Sequence, residues 1–362
     1  MIAILKEFID KSPNRLISYA DFIEYALYHP QQGYYMKDEL KIGRSGDFIT
    51  TSNISSIFGK IIAKWYASHY QKLHLPARFC EIGGGNGRFA KAFIEAWRQY
   101  ANEPIEYIII DSSPFHQKLQ RECLQEFREE VSQLKNVEEL DHFEGLVFSN
   151  ELFDALPVHV IKNEDGILFE VMITNKEDKL VEVLTPLENS NILAYIQRHS
   201  LKLKNGYRIE IPLVMGEMVQ RLSQAVTTGL VMTVDYGYTD EEWQQPERRD
   251  GSLRGYYQHQ MYSDVLQNPG LMDITSHVPW SLFIREGEES GFELINKYRQ
   301  DEFLLKLGIL DELAESFDPN PFSEKSKHNR AIKSLILPGG ISSSFQILFQ
   351  GKGLKFAESE LF

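Results

Sequence analysis

The chain has 362 residues, 43% of them hydrophobic and 25% charged, which is the composition of a folded globular protein with one large domain plus insertions, or two domains. Its formal net charge is −14, with a pI near 5.3, and no basic stripe interrupts it, so a nucleic-acid partner is not expected. Two cysteines outside any C-x-x-C pair and ten scattered histidines give no structural zinc pattern, and no metal is expected.

Residues 1 to about 75 read as a helical cap with a flap loop. Ile2, Leu5, Phe8 and Ile9 repeat at helical spacing. Ser18 to Asp21 is a capping signal for a second helix with the apolar face Phe22, Ile23, Ala26 and Leu27, which His29-Pro30 ends. Residues 54–70 read as a third. The first ten residues carry two acids and no long apolar core, unlike a secretion signal, and no apolar run approaches the ~20 residues of a membrane span. A cytoplasmic location is expected. The oligomeric state is not legible.

From Arg78 the texture changes to that of a large domain over 76–362. Apolar strands are predicted at 79–82, 106–110, 145–149 and 230–235, with helices over 87–100 and from Pro114 through Leu134. Continuous apolar strands alternating with helices predict an α/β fold whose mostly parallel, doubly wound sheet is covered on both faces. Residues 160–215 read as a hairpin-rich insertion, with turns at 163–166 and 175–178. Residues 239–280 are loop-rich, and strand-like stretches recur at 334–337 and 345–349.

The most informative segment is Phe79-Cys80-Glu81-Ile82-Gly83-Gly84-Gly85-Asn86-Gly87. Glycines 83, 85 and 87 make G-x-G-x-G between a strand and a helix, not the G-x-G-x-x-G of a dinucleotide site. Glu81 would repel a diphosphate but attract a cation. S-adenosylmethionine, with a sulfonium, an ammonium and no phosphate, suits such a turn, Glu81 taking the ammonium directly or through water. The bland alternative is a tight turn with no ligand.

Asp111 ends the next apolar strand, thirty residues after Glu81, where a carboxylate can accept both hydrogen bonds of a ribose diol, with Ser112 beside it. It can equally cap the helix that Asp-Ser-Ser-Pro introduces, and the two roles are compatible. Asn150, Glu151 and Asp154 follow the third strand, beside the donor methyl. The two acids lie three apart, as on one helical face, and could grip a guanidinium and orient its nitrogen; alternatively they only line a helix start. Gly43 to Thr51, with Gly46, Asp47 and Phe48, has the glycines, acid and aromatic of a flap over a ligand. Asp235-Tyr236-Gly237-Tyr238 ends a central strand at the same edge. His277 reads first as a hydrogen-bonded structural histidine and second as a base.

Taken in order, these segments resemble the MidA family of S-adenosylmethionine-dependent methyltransferases. The resemblance includes Leu27-Tyr28-His29-Pro30, Gly33-Tyr34-Tyr35, Gly43 to Phe48, Glu81 with its glycines, and Asp111 to Pro114. Asn150 to Val158, Asp235-Tyr236-Gly237, Gly251-Ser252-Leu253-Arg254 and Asp273 to Val278 complete it. It implies a class I methyltransferase fold, S-adenosyl-L-methionine as cofactor, and transfer to an arginine nitrogen of a protein. A respiratory-chain subunit is the kind of substrate that mitochondrial members methylate. The chain departs from the family pattern at Ser52-Asn53, where Pro-Glu is usual, at Gly84, often Pro, and at Asp111, usually Glu. A cofactor-binding assembly protein without turnover and an NAD(P)-dependent oxidoreductase stand as rivals. The glycine spacing and the acid before it argue against the second.

Overall fold

The computed structural model describes residues 1–38, 52–313, 320–337, 344–355 and 361. The expected flap at 43–51, with Gly46, Asp47 and Phe48, lies outside the described residues.

A twisted central sheet organises the chain. Its main strands are β1 (Arg78–Ile82), β2 (Glu106–Ile110), β3 (Val131–Leu134), β4 (Phe143–Asn150), β5 (Val226–Tyr238), β6 (Glu293–Arg299) and β7 (Phe345–Lys352), in the spatial order 3-2-1-4-5-7-6, and the two-residue strand Val278–Pro279 pairs with the end of β5. β3, β2, β1, β4 and β5 pair in parallel, and β7 runs antiparallel to both of its neighbours. The chain order reverses between β1 and β4, so the carboxyl ends of these two strands flank the switch point where doubly wound sheets take ligands.

Side chains alternate across the sheet because strand periodicity is two. Phe79, Tyr107 and Phe148 face one core with α3 (Ser52–His69) and α4 (Arg88–Tyr100). Cys80, Ile108 and Val147 face the other with the helices Leu213–Ala225 and Trp280–Glu289. Two further helices, α1 (Ile2–Lys11) and α2 (Tyr19–Tyr28), lie instead on a separate antiparallel sheet. That sheet is made of Ile17–Ser18, His159–Glu164, Ile167–Lys176, Lys179–Pro186 and Arg208–Ile211. The three N-terminal helices thus divide between two cores. α2 starts as its sequence dictates: Ser18 accepts from Asp21 N, and the Asp21 carboxylate accepts from Ser18 N. A small sheet of Arg254–Tyr257, Gln260–Tyr262 and Asp273–Thr275 closes one side of the switch point.

Two local expectations are corrected. The helix from Pro114, α5, ends at Cys123 rather than Leu134, and β3 forms at the sheet edge. Only half-buried, Val131-Ser132-Gln133-Leu134 carries no apolar run to announce a strand. Residues 334–336, expected as strand, close the helix Glu324–Ile336; a short apolar run does not distinguish the two.

Candidate active site

Three glycines turn the chain from β1 into α4. Gly83, Gly85 and Gly87 have φ of +77°, +50° and +77°, a region that side chains with a Cβ seldom enter. A Cβ on Gly85 would meet no heavy atom within 4 Å, so the backbone there borders open space. One on Gly84 would lie 2.6 Å from Ile109 Cγ2, which accounts for glycine at this place in the turn. Gly87 caps α4 without a side chain. Glu81 points under the turn and is buried, its Oε2 accepting from the Tyr107 hydroxyl at 2.7 Å. Burial pushes its carboxyl up to about 7, against the pull of that hydroxyl, and the Asp111 charge adds to the rise.

Asp111 ties this turn to β2. Its Oδ2 accepts from Gly85 N at 3.1 Å and from Gln120 Nε2 at 3.0 Å, and its Oδ1 accepts from Ser113 N at 3.0 Å. The Gln120 amide also donates to Gly85 O at 3.0 Å, closing a ring between turn and helix. The helix-cap reading of Asp111 does not hold: Ser113 is the cap of α5, accepting from His116 N. Ser112 is exposed beside it.

At the end of β4 the chain makes an open turn, not a helix, so Glu151 and Asp154 do not share a helical face. The turn brings them together another way. Glu151 takes a left-handed φ of +48° and donates its N–H to Val234 O, and the Asn150 amide donates to Glu151 Oε1 at 3.2 Å. Asp235, fully buried at the end of β5, accepts from Phe153 N at 3.0 Å and Asp154 N at 3.3 Å through Oδ2, and from Tyr236 N at 2.9 Å through Oδ1. The turn is therefore pinned by a carboxylate from the neighbouring strand. Asp154, 4% exposed, accepts from the Tyr236 hydroxyl through Oδ2, while its Oδ1 is buried with no hydrogen-bond partner among the described residues. Phe153 turns away and packs edge-on against Phe283.

These acids crowd each other. Burial first, and then the charges of Asp235 and Glu151, raise the Asp154 carboxyl well above the ordinary range. Burial, with the Glu151 charge adding, pushes Asp235 up to about 8 against the backbone N–H groups it accepts. Glu151 is raised by burial as well. A fourth acid, Asp273, accepts from the Tyr35 hydroxyl at 2.6 Å. Tyr28, whose hydroxyl donates to Ala155 O at 3.0 Å, stacks on Tyr35 and feels the charges of Asp273, Asp154 and Asp111 together. The Ser113 hydroxyl donates to Tyr35 O at 2.7 Å. The Tyr28–Tyr35 segment therefore bridges the Asp111 end of the site and the Asp154 end. Asp235 was placed at the ligand edge by its strand alone; its hold on the acid turn, and the parts of Tyr107 and Gln120, had no local signal.

The glycine cradle, the open space at Gly85 and an acidic, phosphate-repelling lining fit S-adenosylmethionine. Sheet order and cradle together define a class I methyltransferase. A family described as "Putative S-adenosyl-L-methionine-dependent methyltransferase" matches residues 61–296. The chain belongs to this MidA-like family of S-adenosylmethionine-dependent methyltransferases, and S-adenosylmethionine is its cofactor. It is 24% identical to the mitochondrial protein arginine methyltransferase NDUFAF7 of Danio rerio over 95% of this chain and 85% of that one. The Rattus norvegicus protein of that name is 27% identical over 81% and 71%. A Burkholderia thailandensis crystal structure, described as a likely methyl transferase bound to S-adenosyl-homocysteine, superposes with a TM-score of 0.89 at 27% identity, covering 98% of this chain and 92% of that one. Neither rival reading gains from these similarities.

Proposed function

We propose that this methyltransferase methylates a guanidinium nitrogen of an arginine in a protein substrate. The observation that carries the reading is Asp154 Oδ1, a buried carboxylate oxygen without a partner among the described residues, in a cluster with Glu151, Asp235 and Asp273. A buried acceptor of this kind asks for a donor, and crowded acids ask for a cation. A guanidinium supplies five N–H donors and a fixed positive charge. The names of the NDUFAF7 relatives point the same way.

On this reading Gly83, Gly85 and Gly87 cradle the cofactor. Glu81 faces its ammonium, Asp111 and Ser112 its ribose, and Asn150 lies at the junction. Bound there, S-adenosylmethionine supplies an electrophilic sulfonium methyl group. Asp154 and Glu151 accept guanidinium N–H bonds and turn one nitrogen toward that methyl. Asp235 holds Asp154 through its backbone N–H and the Val234 carbonyl holds Glu151 through its own, so the grip is set before substrate arrives. Raised proton affinity suits Asp154 and Glu151 to take the proton that the methylated nitrogen releases.

The test is transfer of a labelled methyl group from S-adenosylmethionine to proteins of cells lacking the enzyme, followed by acid hydrolysis. Label in methylarginine is expected. Label confined to another amino acid would overturn the reading.

A further inference from the structure

Two arginines on the Tyr238–His277 side of the site have no acid of their own among the described residues. Arg248 lies over the Tyr238 ring, its Cζ 4.0 Å from the centroid, and its Nε is buried without a hydrogen-bond partner among the described residues. Among the described residues Arg254 donates Nη1 to its neighbour's carbonyl, Leu253 O, at 2.6 Å. Neither forms an ion pair among the described residues, although the chain carries 52 acids against 38 lysines and arginines. Both guanidiniums bear on the same imidazole, His277, which is held edge-on to Tyr238 at 4.4 Å and to Tyr236 at 5.1 Å. His277 Nδ1 is likewise buried and unpartnered among the described residues. Burial, with Arg248 and Arg254 beside it, holds this imidazole down to about 4, so it adds no charge of its own near neutrality.

The register of the small sheet ties this basic recess to the acids. Arg254 pairs with Thr275 and Tyr256 with Asp273, so the four side chains share one face. The Tyr256 hydroxyl feels the charge of Arg254 and, against it, those of Asp154, Asp273 and Glu151. Arg254 and Tyr256 are two residues apart on one strand, roughly 7 Å. An extended substrate has the same repeat: side chains two residues apart point the same way over the same distance.

We propose that the substrate carries an acidic side chain two residues from its target arginine, and that Arg254 and Arg248 receive this carboxylate while the acid cluster receives the guanidinium. The inference rests on the guanidinium reading above and adds a substrate signature to it. A carboxylate between two half-buried guanidiniums makes charge-assisted, directional bonds, and the opposed lobes fix which way the peptide lies.

The experiment uses an array of peptides, each with one arginine and with Asp or Asn at each position within two residues of it, incubated with full-length enzyme and labelled S-adenosylmethionine. With wild-type enzyme, Asp two residues away should raise label about five-fold or more over Asn at that position. The ratio should fall toward one in Arg254→Gln, fall in Arg248→Gln, and partly return in Arg254→Lys. A wild-type ratio of one, or a ratio intact in both glutamine variants, would overturn this inference while label on arginine leaves the guanidinium reading standing. An array that takes no label on any arginine overturns both. Since the decisive ratio is read on wild-type protein, a variant that fails to fold does not remove the test.

Discussion

The backbone N–H of Gly85 donates to Asp111 Oδ2 over 3.1 Å, so the turn that ends the first core strand is fastened to the acid that ends the second. Asp111 thereby shapes the cradle, and on the proposed reading it also takes the ribose. Replacing it removes both contributions. Asp111→Ala is expected to weaken S-adenosylhomocysteine binding by about 2–3 kcal/mol, roughly 30- to 150-fold, measured by titration calorimetry. Binding equal to wild type would take Asp111 out of the site.

Gly85 and Gly87 separate ligand space from packing. Both have left-handed φ, so either replacement costs about 1 kcal/mol of backbone strain. A Cβ at Gly87 would lie 3.2 Å from Gln120 Cα, inside the fold, whereas at Gly85 it would enter open space. Gly85→Val should therefore lower the unfolding midpoint modestly but reduce cofactor affinity at least ten-fold, the larger effect being on binding. A midpoint shift without an affinity loss would mean that this space is not the cofactor's.

On the proposed reading Asp154 serves the substrate rather than the cofactor. Asp154→Asn keeps the shape and removes the charge, so S-adenosylhomocysteine affinity should stay within about two-fold while methyl transfer falls at least 100-fold, a loss of ~2.7 kcal/mol in transition-state stabilisation. Equal losses in binding and turnover would move Asp154 to the cofactor.

The raised carboxyls give two pH dependences of opposite sense. Arginine is always charged, and the acids that hold it must ionise. Affinity for an arginine peptide should therefore rise with pH as Asp154 and Glu151, both raised above the ordinary carboxylate range by burial first, ionise. Stability runs the other way. Glu81 and Asp235 hold protons more tightly folded than unfolded, with folded values of about 7 and about 8. Their contribution is complete below about pH 4, near the unfolded values, and is lost as pH rises through 7 to 8. The ligand-free unfolding midpoint should fall between pH 5.5 and 8.5. A midpoint that rises across that window would contradict the raised values.

How much of this was legible follows from what each feature depends on. The cradle was readable because strand, glycines and helix are contiguous, and the positive φ at 83, 85 and 87 follows from residue type. Parallel strands were readable because burial on both faces demands continuous apolar runs. Strand β3 was not: an edge strand buried on neither face fully has no such run. The acid turn was found through its residues but misjudged in shape, because what bends it is Asp235, some eighty residues away in sequence, accepting Phe153 N and Asp154 N. Gln120 and Tyr107 shape the site only through contacts with Asp111 and Glu81 across neighbouring segments, which no local pattern encodes.

The most direct measurement is a crystal structure of the enzyme with S-adenosylhomocysteine and an arginine peptide. The account predicts the adenosine over Gly83 to Gly87 with its ribose on Asp111, and the peptide guanidinium on Asp154 Oδ1 facing the cofactor sulfur. A nucleoside bound elsewhere, or a turn at 81–87 filled by the protein's own side chains, would contradict it.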